Sequence, residues 1–411
     1  MAQIFPFRAI VPEPAAAAAV AAPPYDVVSA AEAASLAAGN PLSFLRVSRA
    51  EIDLPAETDH YSPAVYHQAA AAYARIKREA PLRQTPLPCF HIYSLVMNGR
   101  RQTGIGAVFS VDEYDGNIIK KHEKTRKDKE DDRTRHILEL RAQTGPVFLT
   151  CRPSAELDGI IQTTLATPPH IDFTTPDGIR HSLWRIDDPA ASARIQAAFA
   201  ATPALYIADG HHRAASAARV RETLRGTNSG HTGSEEYNRF LAVCFPANQL
   251  KILPYNRVVR DLNGLTAKQM LEECGRRFAV TPAAGPTPAR SGLIHMFLDG
   301  AWWALDAGGP AAAAITPMDQ LDVSLLQNHL LAPVLGIADP RTSSRLDFIG
   351  GIRGTQVLED KVRQGEAAVA FSMYPTTVEQ LMAISDAGGI MPPKSTWFEP
   401  KLRDGLLCHD L

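Results

Sequence analysis

Apolar positions in this chain come in short runs separated by turn residues, which predicts many short strands and helices. The runs Phe90–Val96 and Thr103–Val111 flank Asn98-Gly99, a dipeptide that favours a two-residue hairpin turn because both residues tolerate positive φ. Leu293–Leu298 and Ala301–Leu305, joined by Asp299-Gly300, repeat the signal. Further strands are predicted at Pro146–Thr150, Ser182–Ile186, Ala204–Ala208, Phe240–Phe245, Lys251–Tyr255 and Ala367–Met373. Helices are predicted near Ala30–Ala38, Pro63–Arg78, Arg126–Arg141, Pro189–Phe199, Ala214–Val220, Asp319–Leu331 and Thr376–Ile384. Thr281–Gly292 is rich in Pro, Ala and Gly and reads as a linker. Hairpins mixed with strand–helix alternation predict an α/β (α+β) protein with mixed sheets, not a pure doubly wound fold. The expected division is an N-terminal α/β lobe over 1–200 and a C-terminal α/β lobe over 201–411.

Composition narrows the classes. A chain of 411 residues with 45% hydrophobic and 21% charged residues has room for two or three lobes and the balance of a globular protein. A net charge of −2 gives no bulk electrostatic case for nucleic acid or an anionic membrane. The five cysteines are scattered without a Cys-x-x-Cys pair, which argues against a structural zinc site or a disulfide framework and fits a reducing cytoplasm. Ala15–Ala22 is apolar but lacks a charged flank and is far too short to span a bilayer. It reads as a surface helix or loop, and the protein as cytoplasmic.

The chemistry concentrates in Asp209-Gly210-His211-His212-Arg213, between the predicted strand Ala204–Ala208 and an Ala-rich helix former. Gly210 lets the backbone approach a ligand, and a helix N-terminus favours an anion such as phosphate. Two imidazoles and a guanidinium add donors, and Asp209 supplies a carboxylate for a metal or a proton. A second cluster begins at His122-Glu123, after Ile118-Ile119, where Glu123 suits a general base. The charged stretch that follows it, to Arg133, reads as a solvated helix with pairs such as Arg126–Glu130. A third cluster, Lys394-Ser395-Thr396, has the lysine–hydroxyl chemistry that holds phosphate, without the glycine loop of a Walker A motif. Flanking prolines and aromatics predict a docked strap there. Pro23-Pro24 presents Tyr25 and Asp26, and either Asp26 or Ser29 caps the next helix, or the segment forms a site wall. Gly350-Gly351-Ile352-Arg353-Gly354 is a weaker anion candidate.

Taken together, Pro6-Phe7-Arg8-Ala9, Pro23–Asp26, His122-Glu123-x-Thr125, Asp132-Arg133, Ile207–Arg213 and Met391–Thr396 resemble the bacterial family catalogued as domain of unknown function 1015, over essentially the whole chain. The Asp-Gly-His-His-Arg turn alone is similar to the phosphate turn of the ParB/sulfiredoxin superfamily, and most of all to that of its free-serine kinases. The resemblance implies a ParB/sulfiredoxin-like core elaborated by additional lobes. It also implies a kinase that moves a phosphoryl group from ATP, ADP or pyrophosphate to a small hydroxyl compound, with free L-serine the leading acceptor. Sulfiredoxin chemistry needs a cysteine in the turn, where this chain has histidine, and no DNA-binding helix-turn-helix is evident.

On this reading Glu123, Asp209 and His212 are catalytic, with Asp26 as an alternative base. Gly210, His211, His212, Arg213, Lys394, Ser395 and Thr396 bind phosphate, and Tyr25, Asp26, His122, Thr125 and Arg133 bind substrate. Asp209 holds Mg²⁺. The alternatives are a nucleotide-binding phosphohydrolase or regulator without an amino-acid acceptor, a hydrolase with a metal on His211, His212 and Asp209, and a non-enzymatic scaffold. Adjacent histidines on one turn rarely face one ion, which weighs against the metal hydrolase.

Overall fold

Asn98 and Gly99 both take positive φ (50° and 76°), and the hairpin they close joins Phe90–Met97 to Arg100–Ser110. Asp299 and Gly300 do the same between Leu293–Leu298 and Ala301–Asp306. These hairpins fall in different parts of a computed structural model that describes residues 2–79, 82–308 and 316–411. The chain forms two compact units: the first takes 1–121, 125–250 and 400–411, the second 122–124 and 251–399.

The first unit is built on a nine-stranded sheet. Its strands are Ile4–Phe5 (β1), Phe90–Met97 (β2), Arg100–Ser110 (β3), Ile119–Lys120 (β4), Val147–Cys151 (β5), Ile171–Thr174 (β6), Arg180–Ile186 (β7), Leu205–Asp209 (β8) and Arg239–Pro246 (β9). Their order is β4-β8-β5-β9-β3-β2-β7-β6, with β1 paired to β3. The β8–β4 and β9–β5 pairs are parallel and the others antiparallel, so the sheet is mixed, as expected. Strands from both sides of residue 200 share it, because β8 and β9 both pair with β5. The chain therefore does not change unit at residue 200. Ile92, Phe109, Leu149, Phe199, Ile207 and Phe240 are fully buried in one apolar cluster against this sheet.

A second cluster gathers around helix Ala30–Ala37 (α1) and helix Pro63–Glu79 (α2), with Phe44, Val65 and Tyr73 in its core. Val20 and Ala22 are buried in it too, while Ala15 and Ala18 are exposed, so the Ala15–Ala22 run is a surface segment with a short helix, Ala17–Val20, packed by one face as expected. Ser29 caps α1 through a capping box with Glu32, which settles the cap on Ser29 and not on Asp26. Two further helices complete what positions the site, Lys127–Leu140 (α3) and His211–Thr227 (α4).

The second unit carries a six-stranded sheet of Tyr255–Val259 (β10), Ala279–Pro282 (β11), Leu293–Leu298 (β12), Ala301–Asp306 (β13), Leu346–Gly350 (β14) and Val369–Ser372 (β15). The order is β11-β13-β12-β15-β10-β14. The start of the predicted linker is thus strand β11, and its Pro282 is tolerated because β11 lies at the sheet edge. The predicted strand Lys251–Tyr255 is broken at Pro254, which has no N–H to give. Ile252–Leu253 instead pairs with Trp397–Phe398, which docks the strap as expected. Among the described residues no helix is long and apolar enough to cross a membrane.

Candidate functional site

Asp209 ends β8, and Gly210 follows at φ 91°, ψ 31°, the left-handed region that only glycine enters without strain. That single residue turns the chain from strand into α4. The first bond inside this helix runs from Ala214 N–H to Gly210 O (3.1 Å), so the N–H groups of the preceding three residues have no acceptor within the helix. The positive end of the helix dipole adds to them. Lys401, absent from the sequence prediction, places its Nζ 3.1 Å from Asp209 Oδ2. Burial alone would raise the Asp209 carboxyl, but Lys401, then Arg213 and His211, hold it well below the usual carboxylate range. Asp209 is thus ionised with Lys401 as its counter-charge, and it would serve an Mg²⁺ ion as ligand only where the ion shares or takes the place of that lysine.

The turn's other side chains are more committed than their sequence suggests. His211 is buried, with 5% exposure. His212 accepts from Arg126 N–H at Nε2 (3.0 Å), which puts its proton on Nδ1 and ties α4 to the start of α3. The Arg213 guanidinium is buried, donating to Pro146 O (2.9 Å) and to both oxygens of Asp26 (3.0 and 3.1 Å). It lies 5.7 Å from the Tyr25 ring, and Arg133 stacks on the same ring at 4.1 Å. Arg133 pairs in turn with Asp132, which accepts from Tyr66. Thr125 donates to Glu130. The pair Arg126–Glu130 expected along α3 does not form; Arg126 reaches Asp128, and Glu130 reaches Arg219 of α4.

Asp404, also unforeseen, completes this network. Burial pushes its carboxyl up to about 7 against the pull of Arg213, with Asp26 adding to the rise. Asp404 Oδ1 and Arg213 Nε are both buried without a hydrogen-bond partner among the described residues. Both residues line a cavity of about 40 Å³ shared with Tyr25, Arg133 and His136. That space accommodates water and not a phosphate-bearing substrate. Tyr25, Arg133 and Arg213 therefore meet in an ion-pair network whose carboxylate, Asp26, lies at its exposed edge.

The remaining predicted residues belong to the second unit. His122 is buried and Glu123 half-buried, and Met391 N–H donates to His122 O (2.7 Å), bringing the second and third clusters into contact. Lys394 is exposed, with φ 56°. Ser395 is buried, its hydroxyl donating to Pro392 O (2.6 Å) and its carbonyl accepting from Thr376 (2.9 Å), so this hydroxyl shapes the strap. Thr396 is half-buried. The weak signals for Lys401 and Asp404 were a lysine and an aspartate just past a docked aromatic pair, which nothing in the sequence linked to a turn some 190 residues earlier.

Fold and site together define a mixed α/β protein whose strand-to-helix turn presents a carboxylate, a lysine and a helix N-terminus. The chain matches the family described as Protein of unknown function (DUF1015) over residues 4–324, and it belongs to that family. Among solved structures it is similar to a conserved hypothetical protein from Pyrococcus furiosus (14% identity, 75% of this chain and 94% of that one, TM-score 0.38). It is similar to a free serine kinase in complex with AMP (12% identity, 75% and 91%, TM-score 0.37). A third likeness is to C-terminally truncated SbnI from Staphylococcus aureus (12% identity, 74% and 86%, TM-score 0.40). No curated protein matches.

Proposed function

We propose that the protein is a phosphotransferase that moves the terminal phosphoryl group of ATP, ADP or pyrophosphate to free L-serine. The observation that carries this reading is the Asp209–Gly210 turn, where a carboxylate held ionised by Lys401 opens directly onto a helix N-terminus. Phosphoryl transfer asks mainly for positioning and charge neutralisation, and this turn supplies both kinds of group. The N–H groups of His211, His212 and Arg213 cradle the donor phosphates. Asp209 holds Mg²⁺, which when bound neutralises phosphate charge. Arg213 acts through the turn by fixing it to Asp26, and His212 by fixing it to α3.

Glu123 accepts the hydroxyl proton of serine as its oxygen bonds to phosphorus and the bridging P–O bond of the donor breaks. Lys394 and Thr396 close over the phosphate, and Ser395 keeps their segment in shape. The reading requires Glu123 and Lys394, which belong to the second unit, to act with the turn on one phosphoryl group. It also takes the sheet that ends in Asp209 as a ParB/sulfiredoxin-like core, and the protein as cytoplasmic and independent of nucleic acid.

The test is incubation of the pure protein with L-serine, Mg²⁺ and each donor in turn, with O-phosphoserine read by phosphorus NMR. Phosphoserine with one donor, lost in Asp209→Asn and Glu123→Gln, is the expected result. No phosphoserine with any donor sinks the serine assignment, and donor hydrolysis indifferent to serine establishes the phosphohydrolase instead.

A further inference from the structure

Asp404 is 2% exposed, and its main chain is fixed in both directions: its N–H donates to Ala22 O (2.9 Å) and its carbonyl accepts from Ala22 N–H (3.2 Å). Gly145 lies against its carboxyl. A Cβ on Gly145 would stand 2.6 Å from Asp404 Oδ1, so only glycine leaves room for the carboxyl in this wall. The next residue, Pro146, gives its carbonyl to Arg213. Backbone contacts thus bring one aspartate and one arginine to the same cavity, each with a buried polar atom, Asp404 Oδ1 and Arg213 Nε, that no described residue satisfies. Buried polar atoms are nearly always matched, and this space has room for a water between the two.

A count of charges accounts for the missing direct bond. The ionic groups around Asp404 balance without it: Arg213 pairs with Asp26, and Arg133 with Asp132, which also holds Tyr66. An ionised Asp404 is a third carboxylate among two guanidinium groups, in a place water screens poorly. The other titratable groups around it add no charge near neutrality. Burial raises Tyr25 of the loop before α1, Tyr93 of β2 and the Cys408 thiol, and it pulls His136 of α3 down to about 3. Arg213 already uses both terminal nitrogens, one on Pro146 O and the other on Asp26, and keeps Nε for the cavity. The Asp26 side chain is 33% exposed and loses strength to water, so a buried carboxylate competes with it on favourable terms.

We infer that Asp404 is a positioning residue and a proton switch for the Asp209–Arg213 turn: protonated, it leaves the Arg213 guanidinium to Asp26, and ionised, it draws that guanidinium into the cavity through Nε and loosens the start of α4. The proton passes to water and no other bond is made or broken. Arg213 is the third residue of α4, and its side chain fastens the turn to Pro146 and Asp26, so its displacement is felt at the first bond of the helix, Ala214 N–H to Gly210 O. The switch stands whether or not the turn transfers phosphate.

NMR of the full chain with isotope-labelled aspartate carboxyls, assigned through Asp404→Asn, follows the Asp404 carboxyl, and amide exchange follows Ala214. The carboxyl is expected to titrate near pH 7. Protection of Ala214, corrected for intrinsic exchange, should fall about tenfold across that titration, the factor for one pKa unit of coupling. Asp404→Asn, neutral and of the same shape, should keep the low-pH protection throughout. Asp26→Asn should lower the Asp404 midpoint by at least about one unit, because Asp26 helps to raise it and Arg213 passes to Asp404. Protonation of His212 would release Arg126 N–H at low pH, an effect of opposite sign that Asp404→Asn leaves in place. The inference is overturned if the Asp404 carboxyl is ionised throughout the neutral range, if Ala214 protection falls as steeply in Asp404→Asn as in wild type, or if Asp26→Asn leaves the midpoint where it was.

Discussion

The turn of the first unit and the strap of the second were both expected to bind phosphate, yet they handle charge in opposite ways. Around Asp209–Arg213 every buried charge has a counter-charge: Lys401 for Asp209, Asp26 for Arg213, Asp132 for Arg133. Around Lys394 the buried Arg257 has only carbonyls as hydrogen-bond partners among the described residues. A basic residue in a motif is therefore not a ligand group by default. Arg213 is consumed in holding the turn together, and Arg257 in holding the backbone of the strap.

The largest test of this contrast is acid. His91, His136 and His181 are buried in the first unit, and burial pulls each down to about 3 from 6.5. Between those values the unfolded chain binds a proton the native state refuses, so this stability is full above pH 6.5 and is lost as pH falls. Asp404, raised from 3.8 to about 7, works the other way: the native state keeps a proton the unfolded chain has released, and stability is lost as pH rises through that window. Near pH 5 the four groups differ by two protons, three from the histidines less one from Asp404, a slope of about 3 kcal/mol per pH unit. In the second unit His295 and His329 shift the same way from less complete enclosure. Hydrogen exchange from pH 7.5 to pH 5 should loosen the first unit before the second, and second-unit amides exchanging first would refute the assignment. Asp404→Asn should remove that opposing contribution and steepen the rise of stability from pH 5 to pH 7 by about 1 kcal/mol per pH unit.

Next in size is Arg213→Met. Arg213 is buried and also donates to Pro146 O, while the Asp26 it would strand is a third exposed, so the expected loss is about 2–3 kcal/mol in chemical denaturation. A variant as stable as wild type that nonetheless binds no pyrophosphate would return Arg213 to the role of phosphate ligand and erase the contrast between the two regions.

What the sequence disclosed follows the same line. Strand and helix positions were legible because period and turn chemistry are local: Asn98-Gly99 and Asp299-Gly300 set their hairpins almost unaided. The unit boundary was not, because the β8–β5 and β9–β3 pairings are long-range and leave no mark on composition. The Asp209–Arg213 turn was legible as a strand–turn–helix, since Gly210 between an apolar run and an Ala-rich segment has few other uses. The partners of its charges were hidden, because Lys401 and Asp404 sit in a tail with no periodicity to read.

Lys401→Met probes one of those hidden partners. The pair is partly enclosed, with side chains 13% and 28% exposed, and the lysine is less enclosed than the Arg213 guanidinium at 8%, so the loss should be nearer 1–2 kcal/mol. Thermal unfolding checks it, and Lys401→Arg should recover most of the loss because the charge is kept. A Lys401→Met protein that melts with wild type would mean that Asp209 needs no counter-charge, and the first unit's balanced character would fail at its centre.

The smallest effect separates two residues the sequence left as rivals for one cap. Ser29 accepts the Glu32 N–H and Glu32 returns the bond, so Ser29→Ala should cost about 1 kcal/mol and speed exchange only in the first turn of α1. Asp26 makes no such contact; its carboxylate faces Arg213. Asp26→Asn should therefore leave exchange in α1 unchanged and disturb the start of α4 instead, where Arg213 loses its ion-pair partner. If Asp26→Asn frays α1 as Ser29→Ala does, then Pro23–Asp26 is part of a helix cap, and the ion pair to Arg213 is incidental to the turn.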